Sequence, residues 1–367
     1  MGIALIAAFL LAFALSALLG AAARPVSRRL KFLDVPDLVR KQGRPPVPYG
    51  GGPALFLGFG LALAVLWIVG RAVAGGHLDV VEDFLPRLDL MDDGQTRRYA
   101  VIAAGALLVF LMGLADEAWR IPPLAKFMIQ IGAALLLVWG GVRVTAFIPS
   151  YYASVALTVL WVVGITNAFN LLDNTDGLSA GTAAIAAFIF AMVGTFTGQP
   201  VLALVLAVLS GAAAGFIVHN FCPARLYMGD SGAYWLGFTL SALTAEATFS
   251  RPGDSSPAML ALGVPLLTLA VPIFDTGSVL WIRMRERRPL WVGDRSHLSH
   301  RLQGLGLSVR QAVLASWLMT LACGLGALFL KHLPAHLGVL VLAQAAAILA
   351  VVAILEGLGR RRDDQPK

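Results

Sequence analysis

The sequence predicts an all-α, polytopic membrane helical bundle of about 11 transmembrane helices. Three observations predict it. The 367-residue chain is 58% hydrophobic and 13% charged, with a mean hydropathy of +0.78, far more apolar than a soluble globular chain. Apolar runs of roughly 17–25 residues recur, the length that crosses about 30 Å of hydrocarbon. Lys and Arg gather in alternate short loops, where they set topology. That distribution accounts for the net charge of +7 and argues against nucleic acid as a partner. No polar stretch is long enough for a separate soluble unit, so residues 1–367 read as one integral membrane domain. Cys222 and Cys323 fall in different segments, without metal spacing or a disulfide signal.

Taken in order, residues 3–23 form the first apolar run. Ala21-Ala-Ala23 resembles a signal-peptide cleavage site, but no positive region precedes the run and the positive charges follow it, so an uncleaved helix with its N-terminus outside is expected. A basic cytoplasmic loop, about 24–52, ends in Pro45-Pro-Val-Pro48-Tyr-Gly50-Gly-Gly52 and enters a helix at about 53–70. Residues 71–98 read as an outer loop. Helices over about 99–114 and 127–142 flank a short loop, 115–126. Further helices are expected over about 151–172, 178–197, 201–218, 232–249, 257–282, 311–330 and 337–356. The loops 173–177, 219–231 and 283–308 then fall on the cytoplasmic side, as does a basic tail, 357–367. This arrangement puts about 20 of the 28 Lys and Arg inside, with the C-terminus cytoplasmic.

Polar chemistry collects on that side. Asn167, Asn170, Asp173 and Asp176 recur every third residue at the end of one helix. Consecutive members share a face, but the stripe drifts, so Asn167 and Asp176 share one small ligand only if the helix tightens or ends. Asp116-Glu117, Asp230 and the Asp294–Arg301 segment join them. Converging carboxylates repel one another unless a divalent cation lies between them, and Mg²⁺ favours oxygen ligands while keeping waters and substrate phosphates. Lys126, Arg225, Arg295 and Arg301 offer charges for a polyanion. The pattern points to phosphoryl chemistry on a nucleotide-linked donor with a lipid acceptor. Each cluster also has a structural reading. Asp116-Glu117 fits a solvated turn, Asp230 an Asx turn or helix cap, His219 a helix-end cap, and Arg283–Arg288 a topogenic basic run. His297 and His300 have zinc-pair spacing but no third ligand close by. Asp275, inside an apolar run, is a functional candidate or the partner of an Arg.

Five motifs carry a resemblance across nearly the whole chain. They are Asp34-Val-Pro36 with Pro46-Val-Pro48-Tyr-Gly50-Gly-Gly52; Gly113-Leu-Ala-Asp116-Glu117 with Lys126 and Gln130; Asn167-Ala-Phe-Asn170-Leu-Leu-Asp173-Asn-Thr-Asp176-Gly177; Asn220-Phe-Cys-Pro223-Ala with Tyr227-Met-Gly-Asp230-Ser-Gly232; and Asp294-Arg-Ser-His297-Leu-Ser-His300-Arg301-Leu302. The chain resembles the polyprenyl-phosphate N-acetylhexosamine-1-phosphate transferases, a glycosyltransferase family 4 type that includes the phospho-N-acetylmuramoyl-pentapeptide transferase. The resemblance implies a multi-pass bacterial inner-membrane enzyme whose active site faces the cytoplasm. Polyprenyl phosphate, usually undecaprenyl phosphate, would attack the β-phosphorus of a UDP-N-acetylhexosamine, giving UMP and the diphospho-sugar lipid with Mg²⁺ as cofactor and Mn²⁺ as a substitute. It implies Asp230 as metal ligand, and Asp116, Glu117, Asp173 and Asp176 as catalytic carboxylates. Asn167, Asn170, Asn220, Tyr227, Lys126, His297, His300 and Arg301 would bind substrate. A homodimer is compatible with this reading.

Departures fall at Glu117, where an Asp is usual, at Arg120, where an acid is common, at Gly43 and Tyr49 in place of His and Arg, and at Ser299 in place of a third His. The helix count and basic tail favour the GlcNAc-1-phosphate branch, initiating O-antigen, capsule or another envelope glycan. A deoxy-sugar or muramoyl-pentapeptide donor is the runner-up. A transporter, for which Asp275 and Pro272 are the best evidence, and a non-catalytic scaffold are the other classes weighed.

Overall fold

The computed structural model describes residues 1–34, 46–74, 91–145, 150–247, 258–289, 296–330 and 333–363. Its helices are α1 (Gly2–Arg29), α2 (Gly51–Ala74), α3 (Asp93–Trp119), α4 (Pro123–Trp139), α5 (Tyr151–Leu172), α6 (Leu178–Phe196), α7 (Pro200–Asn220), α8 (Gly229–Glu246), α9 (Ala258–Ala261), α10 (Gly263–Thr268), α11 (Ala270–Arg285), α12 (Leu298–Gly304), α13 (Val309–Ala327) and α14 (Ala335–Asp363). Local chemistry sets several ends. Pro123 and Pro200 open α4 and α7, where a missing N–H costs nothing. Ser308 and Gln311 form a reciprocal capping box at α13.

Among the described residues, eight helices are long and apolar enough to cross a membrane: α1, α2, α3, α5, α6, α7, α13 and α14. The sequence reading expected about 11 crossings, and the other three stretches explain the difference. The 17-residue α4 is apolar but short. In α8 every residue from Ser231 to Ala245 is buried, and a helix enclosed by protein does not need a lipid-facing apolar surface. The stretch expected as one helix over 257–282 is divided into α9, α10 and α11. Pro265 and Pro272 lie inside it, and each removes a backbone donor and crowds the preceding turn.

The core lies around α6, α7 and α8. The most apolar windows of α6 and α7 are 78% and 72% buried, against 11% for α14 at the periphery. α8 packs on α2, α3, α5 and α6, while α1 packs on α7 and α2. The first loop departs from a purely helical picture. Its two-residue strands β1 (Leu33–Asp34) and β2 (Val47–Pro48) pair antiparallel, Leu33 opposite Pro48 and Asp34 opposite Val47. This ribbon is tied to the loop before α8. The Tyr227 N–H donates to Pro48 O, and the Gly51 and Gly52 N–H groups donate to Tyr227 O and Met228 O, each at 2.9 Å. Residues 35–45, including Pro36 and Gly43, and residues 290–295, including Asp294 and Arg295, lie outside the described residues.

Candidate active site

The α5–α6 corner shows how the every-third-residue stripe is resolved. α5 ends at Leu172 with Asp173 as its C-cap, and Gly177 turns the chain in the left-handed region (φ 80°). The helix therefore stops before the drift separates Asp173 from Asp176. The turn is tied down from several sides. Asp176 Oδ2 accepts from the Ala224 N–H at 2.9 Å. The Gly177 N–H donates to Asn220 Oδ1 at 2.9 Å, while Asn220 Nδ2 donates to Leu226 O at 3.0 Å. Asn220 thus clamps two loops together.

A second wall comes from α3 and α4. Arg120 takes a left-handed conformation (φ 52°) and ends α3, which lets the first turn of α4 fold back. Lys126 Nζ reaches Asp116 Oδ2 at 2.6 Å, and Asp116 Oδ1 accepts from the Ile121 N–H at 2.7 Å. The carboxyl groups of Asp116 and Asp230 are within hydrogen-bonding reach of each other. Asn170 Nδ2 donates to Asp230 Oδ1 at 2.9 Å.

These walls enclose a cavity of about 740 Å³. Asp116, Glu117, Lys126, Asp173, Asp176, Asn220, Tyr227 and Asp230, all expected from the sequence, line it together with Asp34, Tyr49, Arg120 and others. Among the described residues that line it, six carboxyl groups face two basic ones, Arg120 and Lys126. A diphosphate entering this field would be repelled unless a cation entered with it. Asp173 has no hydrogen-bond donor among the described residues. Burial, then the nearby charges of Asp230, Asp176 and Glu117, push its carboxyl well above the ordinary range.

Other expected site residues do not line the cavity. Asn167 turns toward α4, its Nδ2 donating to Gln130 Oε1 at 2.5 Å and to Val163 O at 2.8 Å. Asn170 acts one contact back, through Asp230. His297, the half-buried His300 and Arg301 sit on or beside α12. His297 Nδ1 lies 2.9 Å from Asp275 Oδ2, and Asp275 Oδ1 accepts from the Leu298 N–H at 2.5 Å. Arg301 Nη2 donates to Ser278 Oγ at 2.7 Å. Asp275, the best sequence evidence for a carrier, is therefore a bound partner of this loop. α12 still reaches the acidic turn: Ser299 Oγ donates to Asn174 Oδ1 at 2.7 Å and lies 2.9 Å from Thr175 Oγ1. His219 Nε2 meets Ala17 O on α1 at 2.7 Å.

Tyr49 and Arg120 are cavity residues that the sequence reading noted only as departures. Their signal was adjacency to the glycine run and to the acidic pair. Tyr49 packs between Phe32 and Tyr227, with ring centroids 5.4 and 6.1 Å away. Its hydroxyl donates to Asp34 Oδ1 at 3.2 Å. Burial, reinforced by Asp34, pushes its phenol up and keeps it a donor.

A multi-span helical protein with an acidic, partly basic cavity at its helix ends is a membrane enzyme for phosphorylated ligands. Comparison with known proteins makes the class specific. The family model described as glycosyl transferase family 4 matches residues 99–248, from α3 through α8. A Bacillus subtilis (strain 168) protein, the probable undecaprenyl-phosphate N-acetylglucosaminyl 1-phosphate transferase, is 31% identical over 269 residues, covering 71% of this chain and 74% of that protein. The decaprenyl-phosphate N-acetylglucosaminephosphotransferase of Mycobacterium tuberculosis (strain CDC 1551 / Oshkosh) is 34% identical over 346 residues, 87% of this chain and 80% of its own. A phospho-N-acetylmuramoyl-pentapeptide-transferase of Desulforudis audaxviator (strain MP104C) is 31% identical over 334 residues, covering 83% and 92%. The chain belongs to glycosyl transferase family 4 and is a polyprenyl-phosphate N-acetylhexosamine-1-phosphate transferase.

Proposed function

We propose that the enzyme transfers GlcNAc-1-phosphate from UDP-GlcNAc to undecaprenyl phosphate at the cytoplasmic face of a bacterial inner membrane. UMP and undecaprenyl-diphospho-GlcNAc leave, and the lipid product starts an envelope glycan such as O-antigen or capsule. The observation that carries the reading is the cavity: Asp116, Asp173, Asp176 and Asp230 converge beside Lys126, in a chain similar to named N-acetylglucosamine-1-phosphate transferases.

The donor set fits Mg²⁺. Among the described residues no three His, Cys, Asp or Glu side chains form a ready-made metal cage, and Mg²⁺ does not need one, because it takes one or two carboxylates plus waters and phosphates. The contact between Asp116 and Asp230 requires a shared proton or a cation to offset like charges. Asp230, with Asp116 and Asp173 beside it, would hold the ion, which supplies charge neutralisation on the diphosphate. Asn170 fixes the Asp230 carboxylate by its hydrogen bond. Lys126 and Arg120 hold phosphate oxygens and orient the acceptor in line with the β-phosphorus, where a phosphate oxygen of the lipid forms the new bond as the bond to UMP breaks. Tyr227, packed on Tyr49, offers a face for the uracil.

The test is UMP release from purified protein with Mg²⁺, undecaprenyl phosphate and a panel of UDP-GlcNAc, UDP-GalNAc, a deoxy UDP-sugar and UDP-MurNAc-pentapeptide. UDP-GlcNAc is expected to be the best donor. Turnover of the pentapeptide donor alone would move the enzyme to the second branch, a reading that the Desulforudis relative keeps in view. An Asp230→Ala variant is expected to insert and fold without turning over. Full activity in it would refute the metal assignment.

A further inference from the structure

The turn between α5 and α6 carries two of the cavity's carboxyl groups, and they are held differently. Asp176 accepts from the Ala224 N–H. Asp173 has no hydrogen-bond donor among the described residues, so only the backbone on either side places it. On one side that backbone is the end of α5. On the other it is Asn174 and Thr175, which line the cavity between the two acids.

Asn174 and Thr175 are fixed by a side chain from another helix. Ser299, on α12, is fully buried and does not line the cavity. Its Oγ lies 2.7 Å from Asn174 Oδ1 and 2.9 Å from Thr175 Oγ1, and Thr175 Oγ1 lies 2.7 Å from Asn174 Oδ1. The amide oxygen has two lone pairs, one for each hydroxyl proton. Asn174 Nδ2 donates to Leu171 O at 2.7 Å, in the last turn of α5, where carbonyls lack a helical partner. The network ties α12, the turn and the end of α5 together. α12 is anchored in its turn to α11, because the Leu298 N–H donates to Asp275 Oδ1. The resemblance expects a His at position 299. Here the oxygens at 2.7 and 2.9 Å from the Ser299 hydroxyl fill the space an imidazole would need.

We propose that Ser299 is a positioning residue: from α12 it holds Asn174 and Thr175, and through them it sets where Asp173 stands, without meeting substrate itself. This rests on the proposed reading of Asp173 as a carboxylate beside the diphosphate and its cation.

Ser299→Ala and Thr175→Val each remove one hydroxyl from the network, and the double variant removes both. The measurements are kcat for UMP release, Mn²⁺ affinity of the resting protein by electron paramagnetic resonance, and thermal midpoint in detergent. Each single variant should lose about 10–100-fold in kcat, the span seen when a supporting partner of a metal-site ligand is lost. The double variant should fall no more than about threefold below the weaker single one, since neighbours in one network are not additive. Mn²⁺ affinity should follow the same pattern. Where Ser299→Ala gives no folded protein, Thr175→Val reads the network from its other side. A lowered thermal midpoint with unchanged kcat and Mn²⁺ affinity would make Ser299 structural only and overturn the proposal. Losses that multiply in the double variant would also overturn it, as would a Ser299→His variant as active as wild type, which would mean that the position is open to substrate. Wild type that binds Mn²⁺ but releases no UMP would overturn the proposed reaction alone, and the comparison of variants in Mn²⁺ affinity would still decide the role of Ser299. Wild type that does neither would remove the site Ser299 serves and overturn both.

Discussion

Asp173, the C-cap of α5, and Asp275, within α11, are the same residue type in one bundle, yet their surroundings are opposite. Asp275 is 1% exposed. Both of its oxygens are used, by His297 Nδ1 and by the Leu298 N–H, and Arg301 Nη2 lies 3.9 Å away. Asp173 opens into the cavity, has no donor among the described residues, and is surrounded by other carboxyl groups. A satisfied buried carboxylate holds structure together, because removing it strands its partners. A carboxylate among carboxylates stores repulsion that a cation or a proton must relieve. On the proposed function, the contrast separates residues that shape the enzyme from those that would meet its substrate.

The strongest way to break the contrast is Asp173→Asn. Loss of one preorganised charged group at a reacting centre costs about 10²–10³-fold in kcat, and UMP release should fall by that much. Stability should move the other way. The folded-state carboxyl titrates well above its ordinary value, so its contribution to stability is fully present below the unfolded pKa and is lost as pH rises through the raised folded one. Asn is neutral throughout. Thermal midpoints measured without nucleotide or divalent cation should thus fall less steeply with rising pH in the variant. An identical pH slope in both proteins would mean that Asp173 is not under this strain.

Much of the contrast was legible in the sequence, and the reason is the nature of each signal. The apolar runs gave most membrane helices, since length and hydropathy are local properties. The helix expected over 257–282 was misjudged because Pro265 and Pro272 interrupt a run that hydropathy reads as continuous. The helix expected over about 232–249 forms as α8, and its composition answers to the protein neighbours that enclose it. The stripe ending in Asp173 and Asp176 marked the cavity, and the helix expected over about 151–172 matches α5, which stops at Leu172. Least legible was the pairing of Asp275 with His297, 22 positions apart. Their i, i+3 and intramembrane patterns described each residue on its own helix, and neither pattern names a partner on another. Tyr49 belongs to the same class, since its contacts join segments far apart in the chain.

A middle-sized effect tests the other member of the pair. Asp275→Asn keeps one acceptor oxygen but presents an amide where a second acceptor stood, so either His297 or the Leu298 N–H loses its bond. A buried group left unpaired costs about 1–3 kcal/mol, and the thermal midpoint should drop accordingly. A stable Asp275→Asn protein with abolished UMP release would instead give Asp275 a direct part in the chemistry.

The smallest effect is expected at Asn167, which separates sequence spacing from three-dimensional placement. It opens the same stripe as Asp173, and spacing would give it a share in binding substrate. Its amide, however, is spent on Gln130 and on Val163 O, away from the cavity lining. Interhelical hydrogen bonds inside a membrane bundle average about 0.6 kcal/mol. Asn167→Ala should therefore lower stability by about that much and leave kcat and KM within about threefold, the ratio to which 0.6 kcal/mol corresponds. A tenfold rise in KM for the UDP-sugar at unchanged stability would mean that α5 rotates on binding to bring Asn167 into the cavity, and the stripe would then act as the single surface its spacing suggests.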